Sequence, residues 1–269
     1  MKFENYYGFS GNSFNKQEVR ESDAFQSEDH KAMTSRLNFL KDSRGIGVFT
    51  ARPGYGKTFT IRCFIKLLSA QLYRIIYICM STVTAIDFYR QLCLALNLEI
   101  SSKKSSMFRS IQECLLSSHR DKRVPYILVI DEAHHLNSDI LQDLKMLMNF
   151  NYDSLYPFSL ILIAEPHLNG ILDQSPHEAL RQRIIVHYDF VGLTGDEPER
   201  YLRHKFQAAG ASFNEIMGEG AVAAVIAAAK GNPRLIDNLM IQALTIGFHE
   251  QMPVINTDVI LNAANSLLL

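Results

Sequence analysis

Ala51-Arg-Pro-Gly-Tyr-Gly-Lys57-Thr58 lies between the apolar run Ile46-Gly-Val-Phe-Thr50 and the apolar-periodic stretch Phe59 to Leu72. A strand, a glycine-rich turn and a helix start, in that order, form the setting of a phosphate-binding P-loop. Gly54 and Gly56, flanked by Pro53, Tyr55 and Phe59, let backbone N–H groups close on phosphate oxygens. Lys57 is placed to reach the β- and γ-phosphates of ATP, and Thr58 to ligand Mg²⁺. The usual first glycine of the pattern G-x-x-x-x-G-K-[ST] is Ala51 here, which fits only if that position does not need a positive φ.

A second motif, Tyr126-Ile-Leu-Val-Ile-Asp131-Glu132-Ala-His134-His135, follows roughly seventy residues later. Its continuous apolar run reads as a buried parallel strand. Its two carboxylates stand at the carboxyl end, where open α/β sheets bind ligands. Asp131 suits a Mg²⁺ contact through water, and Glu132 suits the general base that polarises the attacking water. His134 and His135 are adjacent at a helix start, where side chains diverge, and no Cys/His partner set stands at ligand spacing. They are therefore expected to be loop or helix-start residues and not metal ligands.

The 269 residues suffice for one large or two small domains, and 47% hydrophobic content supplies a core. A net charge of −1 gives no global field toward nucleic acid, so DNA contacts must come from local patches. Cys63, Cys79, Cys93 and Cys114 have no repeated spacing, lie in apolar-periodic segments and read as buried thiols in a reducing compartment. The chain start lacks the apolar stretch of a signal peptide, and no apolar run reaches about 18 residues, so a cytoplasmic protein without membrane contact is expected.

Strands are expected at 46–50, 75–79, 126–130, 158–164 and 184–188, and helices at 57–72, 85–97, 106–118, 138–149 and 177–182. This alternation specifies a parallel α/β sheet with right-handed crossovers. After Leu193 the strand signal stops, and four helices follow: Glu197 to Ala209, Gly220 to Ala229, Pro233 to Phe248 and Thr257 to Leu268. The expected organisation is a lead-in at 1–44 packing on the ATPase core, a P-loop α/β domain at 45–192 and a small α-helical lid at 193–269. Tyr6, Tyr7, Phe9 and Phe14 of the lead-in read as core anchors.

Three further features come in order. The apolar strand Ser159-Leu-Ile-Leu-Ile-Ala164 ends on Glu165-Pro166; Leu180-Arg181-Gln-Arg183-Ile184 puts two arginines before a strand; and Gly231-Asn-Pro-Arg234 opens a helix. Together with the two acidic and glycine-rich motifs, this order resembles an AAA+ ATPase. More narrowly it resembles the ExeA-like, transposon-encoded group, relatives of the transposition regulators MuB, TnsC and IstB. The opening Tyr6-Tyr-Gly-Phe…Asn12-Ser-Phe14, Arg44-Gly-Ile-Gly-Val and Pro166-His-Leu168 also match that group's habits. The resemblance implies Walker A at 51–58, Walker B at 127–132, a γ-phosphate sensor at Glu165, an arginine finger at Arg181 or Arg183, and a second sensor at Arg234. Ala164-Glu165 stands where the group usually has Gly-Gln; a carboxylate there repels γ-phosphate unless water or a cation bridges them. The resemblance also implies a homo-oligomer (ring or helical filament) on duplex DNA and a transposase as partner.

Two loops are candidates for DNA phosphate: Ser81-Thr82-Val83-Thr84, and Lys103-Lys104-Ser105-Ser106. Each sets hydroxyls or lysines at a helix N-terminus, where free N–H groups and the dipole favour phosphate. Helix capping and a solvated turn explain the same residues equally well. Two other readings remain beside transposition: a secretion-assembly ATPase like ExeA, and a non-hydrolysing nucleotide-gated DNA scaffold. Asp131-Glu-Ala-His134 also spells a DEAH helicase box, but the chain after Leu193 is too short and too helical for the second domain such helicases need.

Overall fold

The protein is described by a computed structural model over residues 3–11, 14, 24–79, 84–118, 120, 124–150 and 156–268. It forms two compact units: 32–53 with 57–190, and 1–31 with 54–56 and 191–269.

The first unit is built on a parallel sheet of β1 (Gly45–Thr50), β2 (Arg74–Cys79), β3 (Tyr126–Asp131), β4 (Phe158–Ala164) and β5 (Ile184–Asp189), in the order β2-β3-β4-β1-β5. The three central strands are buried along their whole length. That is why they read as unbroken apolar runs: in a parallel sheet both faces are covered. Edge strands β2 and β5 are partly exposed and carry polar residues. Cβ-less Gly47 lets Leu40 approach β1 closely, since an added Cβ would stand 2.2 Å from Leu40 Cδ1. Ser159 Oγ donates to the Leu40 carbonyl at 2.8 Å from the neighbouring strand.

In chain order the helices begin with α1 (Phe3–Tyr6) and α2 (Glu28–Ser43). The sheet unit then carries α3 (Lys57–Leu67), α4 (Ala85–Ala95), α5 (Lys104–Ser117), α6 (Ser138–Leu147), α7 (His167–Leu172) and α8 (Glu178–Arg181). Helix α3 stops five residues before the expected Leu72. Leu67 and Leu72 are 55% and 63% exposed, so the apolar period there marks no buried face. A turn replaces the last helical winding, with the Leu72 and Tyr73 N–H groups both donating to Ser69 O.

The second unit is helical: α9 (Glu197–Ala208), α10 (Phe213–Ile216), α11 (Ala221–Ala229), α12 (Pro233–His249) and α13 (Thr257–Ser266). The expected helices are present, and α10 is an additional short turn. Pro233 opens α12 at a position whose N–H would be unpaired anyway, and Asn232 Oδ1 accepts from the Arg234 and Leu235 N–H groups at 3.0 and 3.3 Å.

The lead-in departs from expectation. Residues up to Lys31 belong with the helical unit, and only 32–44 with the sheet. The Phe9 and Phe14 rings sit 5.3 and 5.8 Å from that of Phe206 on α9, and Tyr7 Oη donates to Met252 O at 2.7 Å. Tyr7, Phe9 and Phe14 are core anchors, but the core they enter is helical, and Tyr6 is no anchor, being 39% exposed. Asp29 fixes the start of the lid segment by accepting from the N–H groups of Val191 and Gly192.

Candidate nucleotide site

The site is assembled at the carboxyl ends of β1 and β3 and the start of α3. Ala51 is buried and its N–H donates to Ala164 O at 3.1 Å, which extends the β1–β4 ladder by one bond. Its φ is not positive, so alanine is accommodated there without strain. The left-handed positions are Gly54 and Gly56, with φ of +88° and +97°. Nothing lies within 4 Å of where a Cβ on Gly56 would point.

Lys57 is buried at the first position of α3. Thr58 Oγ1 donates to Asp131 Oδ2 at 2.9 Å. The two Mg²⁺ candidates, 73 residues apart in sequence, are therefore in direct contact. A hydroxyl and a carboxylate are hard oxygen donors of the kind Mg²⁺ takes, and the pair fits that ion. Asp131 is almost fully buried and further held: its Oδ2 accepts from Tyr77 Oη at 2.5 Å and its Oδ1 from the Glu132 N–H at 2.9 Å. Burial, then the Asp131 carboxylate, push the Tyr77 phenol well above its ordinary range, so Tyr77 remains a donor. Tyr77 carries no motif signal. Its role follows from the β2–β3 pairing, in which Tyr77 lies opposite Val129 and Cys79 opposite Asp131.

Glu132 has φ 57° and ψ 36°, a left-handed conformation rare for a residue other than glycine or asparagine. The chain leaves β3 through it into a 3-10 turn, Ala133–His135. The histidines do not diverge as expected: their ring centroids are 4.2 Å apart. The tight turn, in place of an α-helical start, keeps them on one side. His134 Nδ1 accepts from the Glu165 N–H at 3.2 Å and lies 3.5 Å from Glu132 Oε2, while Nε2 lies 4.0 Å from Glu165 Oε1. One ligand atom from each of Glu132, His134 and Glu165 falls within 4.8 Å of the others. Glutamates from two strand ends thus stand beside His134, a grouping that a search for Cys/His spacing does not find. Burial, followed by the neighbouring His135, lowers the His134 pKa, outweighing the pull of the two glutamates.

The arginines have protein partners. Arg181 pairs with Asp173 at 2.8 Å on the surface, and Arg183 Nη1 donates to Lys145 O at 2.8 Å. In the helical unit, which includes 54–56, Arg234 is close to the glycine turn: a Cβ on Gly54 would stand 2.8 Å from Arg234 Cβ and 2.5 Å from Asn232 Oδ1. The Tyr55 ring would be 2.9 Å from a Cβ on Gly192. Pro53 is exposed and Phe59 half-buried.

Of the DNA candidates, Thr82 lies outside the described residues. Thr84 caps α4, accepting from the Asp87 N–H at 3.3 Å and donating to Asp87 Oδ2 at 2.5 Å. Lys103 occupies the cap position of α5 without a side-chain capping bond, and Ser105 is exposed beside it. Lys104 Nζ is engaged by Asp143 at 2.5 Å and lies 5.5 Å from the Tyr89 ring centroid. No helix is long and apolar enough to cross a membrane among the described residues.

Residues 40–172 match the model of the AAA domain family. General secretion pathway protein A of Aeromonas hydrophila is 29% identical over 246 residues, which are 89% of this chain and 44% of that protein. The chain thus spans less than half of that relative's length. Among solved structures, the Aeropyrum pernix ORC1 protein in complex with DNA superposes with a TM-score of 0.70 at 17% identity, covering 95% of this chain and 68% of that one. Cdc6p from Pyrobaculum aerophilum gives 0.67 at 18% identity, covering 90% and 67%. A five-stranded parallel sheet with a glycine turn after β1, acidic residues after β3 and an AAA domain match across 40–172 give the chain the fold of an AAA+ P-loop NTPase, with sequence similarity to General secretion pathway protein A and likeness in fold to the Cdc6p and ORC1 structures.

Proposed function

We propose that the chain is an ATPase that binds ATP with Mg²⁺, assembles as a homo-oligomer on duplex DNA, and acts in transposition, selecting a target or recruiting a transposase. The observation that carries the chemistry is the 2.9 Å contact between Thr58 and Asp131 with Glu132 as the next residue. Lys57 binds the β- and γ-phosphate oxygens through its ammonium group. Thr58 and Asp131 hold Mg²⁺, which when bound offsets phosphate charge. Glu132 takes a proton from the water whose oxygen attacks the γ-phosphorus, and ADP leaves with the bridging oxygen. Arg234, beside Gly54, supports a role for the lid arginine at the phosphates. Arg183 or Arg181 serves a neighbouring subunit's nucleotide. The DNA part is supported by the likeness to a protein solved with DNA. The transposition part is supported by the lead-in and strand-entry motifs that resemble transposon-encoded ATPases.

The test is turnover and ATP binding measured side by side. Lys57→Ala loses both, and Glu132→Gln binds ATP but does not hydrolyse it. Equal loss of binding in the two variants refutes the division of roles. A second reading, a secretion-assembly ATPase, is favoured by the 29% identity with General secretion pathway protein A. Stimulation of turnover by duplex DNA separates the two: the transposition reading requires it, and the secretion reading does not.

A further inference from the structure

Glu132, His134 and Glu165 come from two strand ends and lie together in the sheet unit. We infer that they form a binding site for a divalent transition-metal ion such as Zn²⁺, distinct from the Mg²⁺ pair Thr58 and Asp131, with one carboxylate oxygen from each glutamate and one ring nitrogen of His134 as donors.

Distances decide first. Two atoms bound to one such ion at about 2.1 Å stand roughly 3 to 3.5 Å apart. His134 Nδ1 to Glu132 Oε2, at 3.5 Å, already meets this, and one ligand atom from each of the three residues lies within 4.8 Å of the others. The remaining closure is no more than the 4.8 Å limit requires, a movement of about 1 Å. The mobile parts can make it: both glutamate side chains are 34% exposed, while the His134 ring is 6% exposed and fixed. Binding at Nδ1 displaces the 3.2 Å hydrogen bond from the Glu165 N–H, one neutral contact exchanged for a metal–nitrogen bond.

Charge decides next. Two carboxylates converge on one imidazole ring, and a dication between them balances their charge. Without it they repel. Donor type then selects the ion. An imidazole nitrogen with two carboxylates suits Zn²⁺, Co²⁺ or Mn²⁺, whereas Mg²⁺ prefers oxygen and retains water. His167 Nδ1 stands 3.9 Å from Glu165 Oε2, on the outer side of the second carboxylate. The site also gives a physical role to a glutamate where a neutral amide is usual in the resembling proteins. Its consequence, though not the binding itself, rests on the nucleotide reading: a Glu132 carboxylate held by Zn²⁺ is unavailable to take the proton of water, so the ion restrains turnover.

The experiment is Co²⁺ titration of the nucleotide-free full chain, followed by visible absorption, with Zn²⁺ displacement. Wild type is expected to take one Co²⁺ per chain, released by Zn²⁺ and not by millimolar Mg²⁺. His134→Gln and Glu165→Gln each weaken binding by at least about tenfold, while His135→Gln leaves it unchanged. Binding of a fluorescent ATP analogue, measured separately with Mg²⁺, checks the fold of each variant and tests the nucleotide reading independently. The inference is overturned if wild type takes no stoichiometric Co²⁺, or if His134→Gln binds as well as wild type. It is equally overturned if a thiolate-to-cobalt band lost on Cys79→Ser reports the ion.

Discussion

Gly54 and Gly56 are two residues apart in one turn and share a left-handed φ, yet they differ in what surrounds them. An alanine at either site meets a backbone cost of roughly 1–2 kcal/mol. At Gly56 that is the whole cost, because nothing lies within 4 Å of the new Cβ. At Gly54 the Cβ would sit 2.5 Å from Asn232 Oδ1 and 2.8 Å from Arg234 Cβ. Asn232 must then move, and the cap it places on the Arg234 and Leu235 N–H groups is weakened. Loss of such a cap costs about 0.5–2 kcal/mol. Gly54→Ala is therefore expected to destabilise by about 1.5–4 kcal/mol and Gly56→Ala by about 1–2 kcal/mol. Urea unfolding of both variants reads the difference. The double variant Gly54→Ala, Asn232→Ala adds a sharper check: with the cap already gone, the contact with Asn232 Oδ1 no longer adds to the cost, and the double variant should fall short of the sum of the two single costs by at least about 0.5 kcal/mol. Equal destabilisation by the two alanines, together with additive costs in the double variant, refutes the close approach of Asn232 to the turn.

Tyr77→Phe removes one donor from Asp131 and is expected to cost about 1–3 kcal/mol of stability, with a shift in the Mg²⁺ concentration that half-saturates turnover; an unchanged Mg²⁺ dependence argues against a link between Tyr77 and the metal pair. Burial pushes the Asp189 carboxyl up, but hydrogen bonds from Thr50 and Asn169 outweigh it and leave the pKa depressed. The folded form then gains stability above the ordinary carboxylate range of about 3.9 and loses it as pH falls through the lower folded value. Thermal melts below pH 5 should flatten in Asp189→Asn, and an unchanged acid slope counts against it. Arg183→Ala should keep nucleotide binding and lose turnover, and mixing it with Lys57→Ala protein should restore some activity; no rescue from any mixture, including those with Arg181→Ala, argues against a shared site. Lys103→Ala with Lys104→Ala should weaken DNA binding for all sequences alike and flatten its salt slope. Because Lys104 is already paired with Asp143, most of that loss should come from Lys103, and the single variants measure the split.

The sheet was legible because its central strands are covered on both faces, and burial on both faces writes itself as unbroken apolar sequence. Where one face is open the signal fails. Leu72 continues the apolar period of α3 but is exposed, so the period ran past the true end of the helix. The lead-in aromatics announced burial without naming the surface that buries them. Phe9 and Phe14 pack on Phe206, a residue almost two hundred positions away. Composition cannot choose between two cores, and here the helical one provides the aromatic neighbours.

In the site, the residues that follow local rules were readable and those fixed by strand order were not. Lys57, Thr58, Asp131 and Glu132 belong to motifs whose spacing is set by one turn or one strand end. Tyr77 reaches Asp131 because β2 pairs with β3, and His134 meets Glu165 because β4 lies next to β3. Glu132 connects the two kinds of information. Its left-handed backbone costs of order 1 kcal/mol or more for a residue with a Cβ, and such a conformation persists where the surroundings over-determine it. Here the Glu132 N–H is held by Asp131 Oδ1, and the turn that begins at φ 57° carries His134 back to between Glu132 and Glu165. A straight helical start after Asp131 would relax the backbone but would aim His134 elsewhere and leave Glu132 and Glu165 without the ring between them. The strain at Glu132 is therefore the local cost of bringing two carboxylates and an imidazole to one end of the sheet, beside the pair that holds Mg²⁺ in the proposed reaction.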